Sequence, residues 1–243
     1  MNTVSDNSNR IDKLDIEIHI LRSNRKSVVG YVLPDGNIEV RAPLSMTTEK
    51  INVWLDKFEP KFLPLVMKHI EVNAFLRAHP FGYGGEVLFR GKWIPIKEAE
   101  DDNNGYRARY SDGTVVMKPG LSKADMRYHI SDLFYTLAIP VFKEKLHHYS
   151  NAMDVWCKTW TIGNARKRHG SCDSNKKLTF SWLVVMMSDP VIEFIVAHEL
   201  AHLKHMSHSK AFRNELAAIL PDWQEREKAH SEYGLLLHCG GWI

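Results

Sequence analysis

Residues 192–208 read IEFIVAHELAHLKHMSH, and the fold turns on how that run is understood. Ile192, Ile195 and Val196 are apolar at helical spacing, and His198-Glu199-Leu200-Ala201-His202 follows as an H-E-x-x-H. Residues four apart on a helix share a face, so His198 and His202 can grip one metal ion, with Glu199 beside the position where a water would sit. The apolar lead-in predicts a buried helix. Two imidazoles and a carboxylate on such a helix need partners, because unpaired polar groups are costly to bury. Metal ligation supplies those partners; a solvated helix face does not fit so apolar a lead-in.

Spacing alone leaves the third ligand open. His205 lies seven residues after His198 and shares its face on an unbroken helix, whereas His208, ten residues after His198, requires the helix to end. Ser207, with Ser209 as its rival, can cap a following helix over residues 210–220. That puts a turn at residues 205–208 and favours His208, leaving His205 exposed or behind the ligands. In the longer metalloprotease pattern with a third His at this distance a Gly stands at the turn. Here His205 occupies that place.

The surrounding run, residues 166–223, carries Arg168, Gly170-Ser171-Cys172, Trp182, Pro190, His198, Glu199, His202, His208-Ser209 and Pro221-Asp222. In these residues the chain resembles the YgjP-like family of metal-dependent hydrolases, which carry an R-W-G-S-C segment, a strand, a Pro, H-E-L-x-H-L and a final H-S. The resemblance implies an α+β fold with a zincin-like metallopeptidase core, in which the active-site helix packs on a small sheet. It also implies one zinc ion per chain held by His198, His202 and His208, and Glu199 as catalytic base. Two positions depart from the family pattern: His169 stands where Trp is usual, and Ser181 where Asn is usual.

Length and composition set the bounds around this core. The chain has 243 residues, 44% hydrophobic and 25% charged, which is ordinary for a globular protein. A net charge of +3 is mild and does not by itself indicate nucleic acid, although it leaves such a partner open. Three widely spaced cysteines, Cys157, Cys172 and Cys239, imply no disulfide framework. Cys172 reads as a buried structural thiol rather than a nucleophile. No apolar run is long enough to span a bilayer, and residues 1–10 carry no apolar signal segment, so no membrane partner and a cytoplasmic setting are expected.

Along the chain, residues 1–10 read as a polar, disordered tail, residues 11–120 as a strand-rich N-terminal region, and residues 121–243 as the zincin-like catalytic region, together expected to form one continuous domain. Alternation at Leu14, Ile16, Ile18 and Ile20 predicts a strand, and residues 28–33 and 38–42 predict two more around Pro34-Asp35-Gly36-Asn37, giving a small antiparallel sheet. Thr47 or Thr48 opens a helix that ends before Pro80. The glycine-rich stretch 81–85 lacks the Lys-Ser/Thr of a phosphate loop and reads as a turn. Strands follow over residues 87–96, 106–110 and 115–117, with an acidic loop over 98–102. Ser122 with Asp125 starts a core helix that Pro140 bends or divides. The adjacent His147 and His148 do not face one site and belong to its surface. Residues 155–162 and 177–184 predict two strands, and Asp189-Pro190 caps the helix of the H-E-x-x-H. Pro221-Asp222 then separates the last two helices.

The ligand set predicts the chemistry. Three neutral imidazoles leave the charge of a bound zinc undiminished, so it activates water, and Glu199 takes the proton and returns it to the leaving group. The favoured function is a zinc-dependent metallopeptidase acting on a peptide or protein. The basic run of residues 166–169 leaves a second class open, hydrolysis of a small molecule such as a nucleotide phosphoanhydride. Within that run Arg168 and His169 are candidates to meet substrate or an oxyanion, against the plain alternative of a basic hairpin tip. A third class is a non-catalytic metal-binding interaction module, against which the intact Glu199 argues.

Overall fold

The computed structural model describes residues 14, 16–100 and 105–242; the expected tail at 1–10 and most of the acidic loop lie outside them. The fold is α+β, with five α-helices, a short 3-10 helix and three small sheets among the described residues. By compactness the chain divides into two units, residues 1–78 with 235–241, and residues 79–234 with 242–243.

The first unit holds β1 (Ile18–Ser23), β2 (Val29–Val32), β3 (Ile38–Pro43) and α1 (Thr48–Ala78). Ile38, Val40 and Ala42 alternate inward along β3 and are buried against Ile51, Leu55, Phe62 and Val66 of α1. Thr47 caps α1, accepting from the Lys50 N–H at 3.4 Å. The sheet is mixed rather than antiparallel. β2 pairs antiparallel with β3 across the Pro34–Asn37 turn, and β1 pairs parallel with the other edge of β3. The cause is topological: β2 already occupies one edge of β3, so β1 must take the other, and residues 24–37 serve as the crossover that parallel pairing needs.

In the second unit, β4 (Glu86–Phe89), β5 (Lys92–Glu98), β6 (Ala108–Ser111) and β7 (Thr114–Met117) form a sheet in the order β4-β5-β7-β6. The run expected as one strand over residues 87–96 is a hairpin, split at Arg90 and Gly91, whose φ values of 48° and 73° suit a tight two-residue turn. Helix α2 (Lys123–Met153) is capped by Ser122, which accepts from the Asp125 N–H at 3.2 Å. Pro140 does not divide it: the helix runs through, with Phe134, Ala138, Val141 and Phe142 buried around that point.

A second sheet of this unit orders β8 (Thr159–Gly163), β10 (Lys177–Ser181) and β9 (Gly170–Cys172) as β8-β10-β9, with β8 parallel and β9 antiparallel to β10. Residues beyond Ser181 do not extend the strand; Trp182–Met186 is a short 3-10 helix, its first turn held by the Ser181 hydroxyl. Phe180 of β10 stacks on Phe142 of α2 at 4.6 Å, and α2 packs on α3 (Asp189–His202). Helices α4 (Lys210–Ile219) and α5 (Trp223–Cys239) complete the chain. No helix among the described residues is long and apolar enough to cross a membrane.

The start of α3 is fixed by the hairpin tip. Arg90 and Gly91 donate backbone bonds to the carbonyls of Val185 and Met186, and the Arg90 guanidinium bonds the Asp189 carboxylate at 2.8 Å. Asp189 is therefore the first helical residue rather than the cap. Ser188 takes the cap position, its carbonyl accepting from the Val191 and Ile192 N–H groups at 2.9 Å.

Candidate metal centre

Helix α3 is apolar on nearly every side, with Ile192, Ile195, Val196 and Leu200 buried. His198 and His202 stand one turn apart on it. The helix ends at His202 because the last turn tightens: the N–H groups of Leu203 and Lys204 bond the carbonyls of Leu200 and Ala201. Ser209, not Ser207, caps α4, accepting from the Phe212 N–H at 3.3 Å. Between these two ends the chain turns and brings His208 back over α3.

The result is a cluster of three imidazoles. His208 Nε2 lies 3.0 Å from His198 Nε2, and one nitrogen from each of His198, His202 and His208 falls within 4.8 Å of the others. Phe212 packs against all three rings at 4.7 to 5.0 Å. Ligands about 2.0–2.1 Å from a tetrahedral zinc sit about 3.3 Å from one another, a separation that falls between the 3.0 Å pair and the 4.8 Å limit of this cluster. His202 Nδ1 lies 3.0 Å from the His205 carbonyl, an N–H···O bond that leaves Nε2 free for a metal. His205 thus contributes its backbone, and its ring is not among the clustered donors.

Electrostatics suit the donor set. Burial and the neighbouring His202 and His208 push His198 down to about 3, and burial lowers His202 as well, so both rings are neutral near pH 7 and offer lone pairs. Glu199 is only 7% exposed. Burial raises its carboxyl to about 7, while the charge of Arg168 pulls the other way. Strand β9 lies directly on this carboxylate: a methyl group at Gly170 would come within 2.5 Å of Glu199 Oε1. The glycine between His169 and Ser171 is thus a steric requirement of the site.

Arg168 and His169 come to different places. Arg168 is exposed on the loop between β8 and β9, its charge within reach of Glu199. His169 turns inward, with its Nδ1 2.8 Å from Nε2 of His230 on α5. Its Nε2 is buried with no hydrogen-bond partner, and burial with His230 alongside lowers the ring to about 4. His230, whose ring also lies 6.1 Å from Phe194 on α3, is the site neighbour that sequence spacing could not single out. Farther along α5, the Tyr233 hydroxyl borders Gly91, beside Ser188 at the opposite end of α3. Behind the site, Glu193 of α3 takes Lys145 of α2 and Arg226 of α5, each at 2.9 Å.

A family model described as YgjP-like, metallopeptidase domain, matches residues 26–231. The chain belongs to the YgjP-like family. For a YgjP-like metallopeptidase domain a divalent metal is implied, and the three imidazoles are a donor set of the right kind. No curated protein matches the chain at a significant level. Among solved structures, the metallopeptidase zymogen of Pyrococcus abyssi abylysin is similar at 22% identity, over 36% of this YgjP-like chain and 89% of that one, with a TM-score of 0.34. A likeness of that size bears on no step of the chemistry.

Proposed function

We propose that the protein is a zinc-dependent metallopeptidase, with His198, His202 and His208 as ligands and Glu199 as general base. The observation that carries this reading is the meeting of three imidazoles beside one buried carboxyl. A zinc ion held there supplies Lewis acidity toward a carbonyl oxygen and a water. Glu199, poised near 7, accepts a proton from water and delivers it to the leaving amine. Among the described residues no strand pairs with the outer edge of β9, which borders Glu199, so an extended peptide can add to it by backbone hydrogen bonds. Arg168, exposed and with its charge acting on Glu199, is the candidate to meet a developing negative charge. Free thiols at Cys157, Cys172 and Cys239 fit a reducing cytoplasmic setting.

Hydrolysis of a nucleotide phosphoanhydride is the second reading, favoured by the exposed cations of residues 166–168 near Glu199. The deciding experiment measures zinc per chain and turnover of a peptide panel and of nucleoside triphosphates, for wild type, Glu199→Gln, His198→Ala and His208→Ala. Expected are about one zinc per chain in wild type and Glu199→Gln, loss of zinc in both His variants, and peptide turnover lowered at least 100-fold by Glu199→Gln. Normal turnover by Glu199→Gln would sink the mechanism. Turnover of triphosphates alone would move the assignment to the second reading.

A further inference from the structure

The whole-chain charge of +3 conceals where the charge sits. Residues 155–181 hold six basic side chains, Lys158, Arg166, Lys167, Arg168, Lys176 and Lys177, against one acid, Asp173, a local net of +5. All six are exposed, and no ion pair among the described residues engages them.

The sheet β8-β10-β9 sets these charges in order. Leu178 and Phe180 of β10 are buried on its inner face, where Gly170 of β9 meets Glu199. Alternation turns Thr179 to the outer face, and the register places Thr161 on one side of it and Ser171 on the other, with Thr159 beside Lys177. The hydroxyls of Thr161 and Thr179 lie 3.4 Å apart, and Thr159, Thr161 and Lys177 are exposed. Lys158, Lys176 and Lys177 gather at one end of the strands, where the Lys158 N–H bonds the Lys176 carbonyl at 3.0 Å. The loop carrying residues 166–168 is at the other end, about 17 Å away for five-residue strands. Beside the lysine end stands Trp156, 61% exposed, an uncommon position for an indole.

We propose that this outer face binds single-stranded nucleic acid. Lysine, arginine and hydroxyl groups are the side chains that hold phosphates, and a row of hydroxyls between two cationic ends matches a run of successive phosphates. The exposed indole offers a stacking surface for an unpaired base, which an acidic peptide cannot use and a duplex does not present. The hydroxyl row and Lys177 are on the side of the sheet opposite Gly170 and Glu199, and only the 166–168 loop is shared with the hydrolytic reading, so binding needs no metal.

The test is fluorescence anisotropy of a labelled oligothymidine with the full chain, across a salt series, with a duplex of the same length and polyglutamate as competitors. Expected is binding whose logarithm falls with log salt at a slope between about −2 and −4, since each single-strand phosphate contact contributes about −0.7. Lys158→Glu/Lys176→Glu/Lys177→Glu should abolish it, and Trp156→Ala should weaken it about tenfold. Lys50→Glu/Lys57→Glu, on α1, and His198→Ala should leave it unchanged. Circular dichroism of each variant confirms that the fold is retained. Equal competition by polyglutamate or duplex, or undiminished binding by the triple variant, would overturn the proposal.

Discussion

At Gly170 the consequence of a single hydrogen atom can be measured. The Cβ of an alanine there would lie 2.5 Å from Oε1 and 2.7 Å from Cγ of Glu199, closer than atoms pack. Glu199 must then leave its position while the three imidazoles are untouched. Gly170→Ala should therefore retain zinc and lose about 100-fold in peptide turnover, the usual scale for a misplaced catalytic group; loss of zinc content would show that the strand acts on the ligands instead. His169 gives a pH prediction. Its ring titrates near 4 in the folded chain against 6.5 ordinarily, so between those values the unfolded chain binds the proton and the folded chain does not. Its contribution to stability is complete above about pH 6.5 and lost as pH falls toward 4. In the metal-free protein His198 adds a loss of the same sign, and Glu199, raised to about 7, acts oppositely, its contribution waning as pH rises from 4.5. His169→Phe should thus show a smaller fall in Tm between pH 7 and pH 5 than the parent, by thermal unfolding in chelator. An unchanged fall would mean that His169 does not feel its burial.

Between elements, the strongest tie is Glu193, which joins α3 to Lys145 on α2 and to Arg226 on α5. Replacing it leaves two largely shielded cations without their partner. Glu193→Ala should cost about 1–3 kcal/mol, read as a lower urea midpoint at unchanged m-value; a midpoint within error of the parent would reduce the cluster to a surface feature. Element by element, what the sequence disclosed follows locality. The spacing of His198 and His202 and the turn before α4 are local, so the convergence of three rings could be anticipated. Ser122 and Thr47 as caps follow from their own next few residues. The parallel pairing of β1 with β3 and of β8 with β10 depends on which edge is left vacant by another strand, which no local pattern encodes. The same is true of His230, which reaches His169 only because α5 folds back over the end of α3. The hairpin at Arg90-Gly91 escaped because its two arms are apolar enough to read as one strand. Ser209 prevailed over Ser207 because its own N–H is already bonded to the Ser207 carbonyl, which sets its side chain against the α4 amides.

Across the whole molecule, the chain assigns its parts unevenly. Nearly everything that touches the metal centre comes from residues 166–212, while the basic outer face comes from the overlapping residues 156–179. One compact run of sequence thus serves two surfaces of one sheet, with Gly170 and Ser171 facing opposite ways. The N-terminal unit is arranged differently. It is split widely along the sequence, pairing residues 1–78 with 235–241, where the edge of His238 meets His69 at 6.2 Å and Leu237 is buried, whereas the other unit is the one run 79–234 but for residues 242–243. During vectorial synthesis its first residues leave the ribosome long before residues 235–241 exist, so this unit stays incomplete until that segment has been made. Early folding of the nascent chain then belongs to residues 79–234, and a pause or a stop before residue 235 would be felt first in the distant residues 14–78. Limited proteolysis of ribosome-bound chains halted near residue 234 should show cleavage in residues 14–78 and protection around α2 and α3.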